Sequence, residues 1–210
     1  MVVAASISPF ASVFGADSTS DPAILDGAMS AFLDFGIRRA SMNEIAKRAH
    51  ISPATLYRRF ANKTALVEAV VLREAREFVV AVDNRVDRAA SAREQVVEGF
   101  VAFTVMLAGN KLLRRLLITE PETILPQLTI GAAPTLALGR AYLAETLRRL
   151  QNEEGLPPFD VDGVAEICAR LALSLALTPD GIIPIDDEAA ARKFADEHIT
   201  ALVRLPSTTK

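Results

Sequence analysis

The segment Ser41 to Lys63, SMNEIAKRAHISPATLYRRFANK, constrains this chain more than any other stretch. Ser41-Met42-Asn43-Glu44 has the form of a capping box, in which the serine oxygen takes the Glu44 amide and the glutamate reaches back. Met42, Ile45, Ala46 and Ala49 supply one apolar face of a short helix. Ser52 then caps another helix, with Pro53 at the first position, where its missing N–H costs nothing. Two short helices joined by a turn of about three or four residues must cross steeply. Ala46 gives the small residue such a crossing needs, and Ile51 and Leu56 plug the angle. The second helix then projects from the surface with Ser52, Ala54, Thr55, Tyr57 and Arg58 on its open side. Arg38, Arg39, Lys47, Arg48, Arg59 and Lys63 surround it, as contacts to phosphates require.

The rest of the chain reads as helix. Residues 22–36 place Ile24, Leu25, Ala28, Ala31, Phe32 and Phe35 on one face, with Asp21 as N-cap, Pro22 at the first position and Gly36 as the stop. Asn62 caps a fourth helix that extends to about residue 88. Further helices are expected over 91–109, 111–119, 135–152, 160–177 and 187–205. Pro121, Pro126 and Pro134 keep the stretch between them short-jointed, and Gly155-Leu156-Pro157-Pro158 breaks the chain again. No alternating strand pattern and no internal repeat is present. The expected fold is all-α: an N-terminal three-helix head with a helix-turn-helix over 21–66, and a C-terminal helical domain over 67–210 that binds a ligand and dimerises. Residues 1–20 are read as a loosely ordered arm, because the apolar stretch 1–16 has no Lys or Arg and so lacks the basic start of a secretory leader.

Charge first argues against a nucleic-acid partner, since the net value is −3. Its distribution points the other way: residues 21–70 hold seven Lys/Arg against five Asp/Glu, while residues 71–210 are acidic. A local basic patch is what DNA recognition needs. Half of the 210 residues are hydrophobic, enough for a buried core, but no run of about 18 apolar residues suits a membrane span. The single cysteine, Cys168, lies among apolar neighbours and reads as a core residue compatible with the cytoplasm. His50 and His198 are too scattered for a metal site, and the positions three residues before them hold Lys47 and Ala195 rather than glutamate. No phosphate-binding glycine loop, nucleophile elbow or H-E-x-x-H occurs. Catalytic residues, metal and cofactor are therefore all expected to be none.

The segment resembles the tetracycline-repressor (TetR) family of bacterial regulators. The matching residues are Phe35-Gly36, Ser41-Met42, Ile45-Ala46, Ala49, Ile51-Ser52, Thr55-Leu56-Tyr57, Phe60 and Lys63-Thr64-Ala65-Leu66. The resemblance covers residues 22–70. It implies a homodimer, one helix-turn-helix per subunit, a double-stranded palindromic operator, and a small effector that lowers DNA affinity by spreading the two heads. It assigns DNA contacts to Arg39, Ser41, Ser52, Pro53, Ala54, Thr55, Tyr57, Arg58, Arg59 and Lys63, with Tyr57 and Lys63 on phosphates and Ala54, Thr55 and Arg58 on the base-reading face. Three departures stand out. His50 replaces the usual turn glycine, Ala54 a common glycine of the recognition helix, and Arg59 the usual His or Tyr.

The effector domain is less explicit. Phe100, Phe103, Thr104, Leu107, Leu117, Ile124, Leu128, Leu143, Leu147 and Leu171 are candidates to line an apolar pocket, although stripes of this kind equally build cores. Arg114, Arg115 and Glu120 are candidates for a polar end of that pocket, but are placed on the solvent side. Residues 160–177 and 187–205 are expected to pair with their symmetry mates, the last helix through Ala191, Phe194, Ala195, His198 and Leu202. The alternatives are an all-α small-molecule-binding protein or enzyme that does not bind DNA, and an activator of the same fold. Operator sequence and effector identity are not legible.

Overall fold

In the computed structural model, residues 21–153 and 156–204 are described; the arm expected over 1–20, and Gly155, lie outside them. Among the described residues every regular element is helical. In chain order these are α1 (Pro22–Arg39), α2 (Met42–Arg48), α3 (Pro53–Arg59), α4 (Lys63–Val86), α5 (Ala92–Gly109), α6 (Lys111–Thr119), α7 (Pro121–Leu128), α8 (Ala133–Glu153), α9 (Val161–Leu177) and α10 (Glu188–Phe194). A π-turn over Ala195–Ile199 and a last short helix, α11 (Thr200–Leu202), follow.

The chain forms two compact units. One holds the described residues up to Val79 together with Lys111–Pro121; the other holds Val80–Asn110 and Glu122 onward. The boundary expected after residue 66 falls inside the continuous helix α4. Helix α6, distant in sequence from the head, packs on α1 and so belongs to the first unit. Sequence separation hides such a pairing, because only its buried residues, Leu112 and Leu116, mark the packed face.

In the first unit, α1 starts as its sequence requires: the Asp21 carboxylate accepts from the Ala23 amide at 3.1 Å and Pro22 occupies the first turn. Ile24, Leu25, Ala28, Ala31 and Phe32 are buried. Phe35, expected on this face, is instead 39% exposed, and the Arg48 guanidinium sits 5.0 Å above its ring. Gly36 interrupts the helix at φ 79°, but a further turn follows before the chain leaves at Ala40.

In the second unit, α8 and α9 pack along one another around Ala144, Leu147, Val161, Ala165 and Val203. Helix α10 and the π-turn pack on α5, burying Ala191 and Ala195 against Val97 and Val101. An ion-pair network joins α5 and α10 to the end of α4: Glu98 on α5 pairs with Arg85 and Arg192, and Arg85 also pairs with Glu188. Tyr142 on α8 donates to Asp83 on α4 at 2.6 Å, and burial pushes its phenol well above the ordinary tyrosine range. Burial likewise pushes the Cys168 thiol up to about 11. Helix α7 forms despite its internal Pro126 and buries none of its residues.

Candidate nucleic-acid interface

Each helix of the 41–63 segment is fixed at its N-terminus by a serine. Ser41 Oγ accepts from the Glu44 amide at 3.1 Å, and Ser52 Oγ accepts from the Thr55 amide at 3.1 Å. Such caps typically contribute about 1 kcal/mol each. The Glu44 side chain does not simply complete a box: its Oε1 accepts from Arg48 Nε at 2.9 Å. Between the helices His50 adopts φ 56°. Its amide bonds to the Lys47 carbonyl and that of Ile51 to the Ala46 carbonyl, the two bonds of a left-handed helix stop normally built on glycine. Ala46 and Leu56 are fully buried at the crossing, with Ile51 half-buried beside them. A close approach not anticipated from the sequence supports this corner. A β-carbon at Gly27 on α1 would stand 2.8 Å from the Ala49 backbone nitrogen, so only glycine permits the contact.

The open side of α3 presents Pro53, Ala54, Tyr57, Arg58 and Arg59 to solvent, with Tyr57 at 52% exposure. Ser52 and Thr55 are partly committed: their hydroxyl oxygens lie 2.9 Å apart in the cap. Beside α3 runs a groove of about 410 Å³ lined by Arg38, Arg39, Ala40, Ser41, Met42, Tyr57, Ala61, Asn62 and Lys63. It gathers Arg39, Ser41, Tyr57 and Lys63, four of the predicted contacts, from three separate segments. Its lining holds three cations and no carboxylate, a composition suited to a phosphate.

Several of the expected cations have partners within the chain: Arg39 Nε donates to the Phe35 carbonyl at 3.0 Å. Arg48 is turned inward, bonding to Glu44, Ser30 and Asp34 and covering Phe35. Those partners raise its pKa, the Glu44 hydrogen bond most of all. Lys63 directs its ammonium at three backbone carbonyls, those of Ile37 (2.9 Å), Arg38 (2.9 Å) and Ala40 (3.1 Å). An ammonium has three donors, so the lysine closes the C-terminal end of α1 rather than reaching outward.

The residues proposed for the effector site that have a described cluster fall in different ones. Phe100 packs on the Val97, Val101, Ala191 and Ala195 cluster, while Leu147, with Leu143 against it, belongs to the α8–α9 core. Thr104 is fully buried and its hydroxyl donates to the Val101 carbonyl at 2.9 Å. Leu117 lies in the other compact unit. Phe103, Leu107, Ile124, Leu128 and Leu171 remain half-buried. The stripe assigned to dimerisation is likewise divided. Ala191 and Ala195 are consumed within the subunit. Phe194 stacks on Phe100 at 5.7 Å and meets His198 in a tilted arrangement at 4.7 Å, His198 is exposed, and Leu202 is half-buried. Periodicity identified an apolar stripe but not that α5 of the same chain would cover it.

Glu120, placed on the solvent side by sequence reasoning, is 4% exposed. Its carboxylate accepts the Arg38 amide, at 3.1 and 3.2 Å to its two oxygens. Arg115 also turns to α1, donating to the Asp34 carbonyl at 2.8 Å. The acid after α6 carries no motif that could have announced this.

Residues 24–70 match the family model of bacterial regulatory proteins of the tetR family. A DNA-binding transcriptional repressor, TetR, of Mycobacteroides abscessus is 29% identical over 142 residues, 68% of this chain and 65% of that protein. The fold is similar to that of AlkX, a TetR-family repressor of Dietzia sp. implicated in n-alkane biodegradation, with TM-score 0.62 and 21% identity over 87% of this chain and 97% of that one. It is also similar to the regulator FadR of Bacillus subtilis, solved in complex with stearoyl-CoA, with TM-score 0.55 and 18% identity over 87% and 97% of the two chains. Capped helices, the left-handed turn at His50, the cationic groove beside α3 and the matched family model lead to one conclusion: residues 24–70 form a DNA-binding region of the tetR-family type, and the chain is a DNA-binding transcriptional regulator.

Proposed function

We propose that the protein is a bacterial, cytoplasmic, ligand-responsive repressor that binds a palindromic operator as a homodimer. The observation that carries this reading is the position of α3, exposed along its polar side and flanked by the cationic groove. In this reading Arg58, Thr55 and the Ala54 methyl meet base edges in the major groove. Ser41, Arg39, Tyr57 and Arg59 meet phosphates, and Ser52 and Pro53 hold the start of the helix against the backbone. Lys63 acts from behind, by fixing the turn that carries Arg38 and Arg39.

Of the two helices expected to pair, the dimer contact is placed on α9, where Ile167 is 53% exposed, rather than on the buried alanines of α10. A small, largely apolar effector is the favoured ligand. Half-buried Phe103, Met106 and Leu107 on α5 support it, as do the n-alkane context of AlkX and the stearoyl-CoA held by FadR. Ligand and DNA must then oppose each other's binding through the same two states.

The test is footprinting on the DNA flanking the protein's own coding sequence, followed by Arg58→Ala and Thr55→Ala. Each is expected to weaken operator binding by about 1–3 kcal/mol and to relax the base preference at one position. Unchanged operator affinity in both variants, with the fold intact, removes α3 from the interface.

A further inference from the structure

Helix α1 is broken at Gly36, and a break leaves backbone groups without intrahelical partners on both sides. The structure supplies those partners from α6 and the residue after it. On the near side, Arg115 Nη2 donates to the Asp34 carbonyl at 2.8 Å. On the far side, both Glu120 oxygens lie within 3.2 Å of the Arg38 amide. A carboxylate at the N-terminal end of a turn and an ammonium at its C-terminal end each suit the backbone dipole, and Glu120 and Lys63 take those two places around residues 37–40. The contact requires glycine at 36: a β-carbon there would overlap the Glu120 carboxylate. The turn so held carries Arg38 and Arg39, which line the groove beside α3.

We propose that Glu120 is a positioning residue for DNA binding. Seated in the notch at Gly36, it fixes the Arg38–Arg39 turn in the register that places both guanidinium groups on phosphates. Neither Glu120 nor α6 belongs to the matched 24–70 segment, so the phosphate clamp is completed by a part of the chain more than forty residues further on. The proposal rests on the reading of the groove as a phosphate site.

Reach and charge separate cleanly at this position. Glu120→Gln keeps the length and one acceptor oxygen for the Arg38 amide. Glu120→Asp keeps the charge and shortens the reach. The experiment measures binding of a labelled random-sequence duplex across a salt series, together with hydrogen exchange at the Arg38 amide. Each phosphate contact contributes about 0.9 to the slope of log affinity against log salt. Glu120→Asp is expected to lower the slope by about one to two units and to speed exchange at Arg38, whereas Glu120→Gln stays near the wild-type slope. In an Arg38→Ala/Arg39→Ala background, Glu120→Asp is expected to have no further effect on the slope. A general loss of stability lowers the folded fraction without changing the slope, so it does not imitate this pattern. Wild-type slope in Glu120→Asp, a larger loss in Glu120→Gln than in Glu120→Asp, or an undiminished effect in the arginine-free background overturns the proposal. Failure of the wild-type protein to bind the duplex overturns the groove reading itself.

Discussion

Lys63→Met removes an ammonium while keeping most of its apolar stem, and so tests whether this lysine belongs to the fold or to the DNA surface. The Nζ hydrogen bonds to Ile37 and Ala40 are part-buried, and the one to Arg38 is exposed. A hydrogen bond to a charged group contributes about 1.5–3 kcal/mol when well shielded, and water replaces an exposed one almost fully. Discounting for partial exposure leaves about 1 kcal/mol for each of the two shielded bonds, or about 2 kcal/mol in all. In a chain of this length each kcal/mol shifts the melting midpoint by about 2–4 °C, so a fall of about 4–8 °C is expected. The assay is thermal unfolding followed by far-ultraviolet circular dichroism in the absence of DNA. A midpoint within about 1 °C of wild type refutes the reasoning and returns Lys63 to the outward, phosphate-contacting role suggested by resemblance alone.

Other positions give independent checks. His50→Gly relieves the left-handed strain at the turn and is expected to stabilise the protein by about 0.5–1 kcal/mol in urea titrations; a loss of stability there contradicts the strain argument. Phe194→Ala is expected to destabilise the subunit by about 2–3 kcal/mol, because its ring packs on Phe100 in the same chain, and to leave the sedimentation coefficient unchanged; a change of oligomeric state at full stability restores the interface role. Burial opposes the charge of Glu98, but its hydrogen bonds to Arg192 and Arg85 prevail and hold the carboxyl below the ordinary glutamate range. Its contribution is thus complete above the unfolded value of about 4.3 and is lost as pH falls through the lower folded value. Glu98→Gln is expected to be less stable at neutral pH and to lose less on acidification than wild type, and parallel pH profiles for the two proteins exclude this role.

The sequence by itself determined what depends on neighbours along the chain. Ser41, Ser52 and Asn62 cap the helices that follow them because a cap needs only a side chain and an amide two or three residues on. The tight turn at His50 and the burial of Ala46 and Leu56 were equally local, as was the exposed polar side of α3. These sufficed for the helix-turn-helix and its likeness to one family. Tertiary structure alone decided the rest. Whether a cation faces DNA or the protein depends on which unpartnered carbonyls lie within its reach, and Arg48 and Lys63 were drawn inward while Arg58 stayed outside. Whether an apolar stripe is core, pocket or interface depends on which helix arrives to cover it, and α5 covered Ala191 and Ala195. Glu120 shows the limit most clearly: a lone acid after a helix is indistinguishable in sequence from a solvated one, until folding places the broken backbone at Gly36 against it.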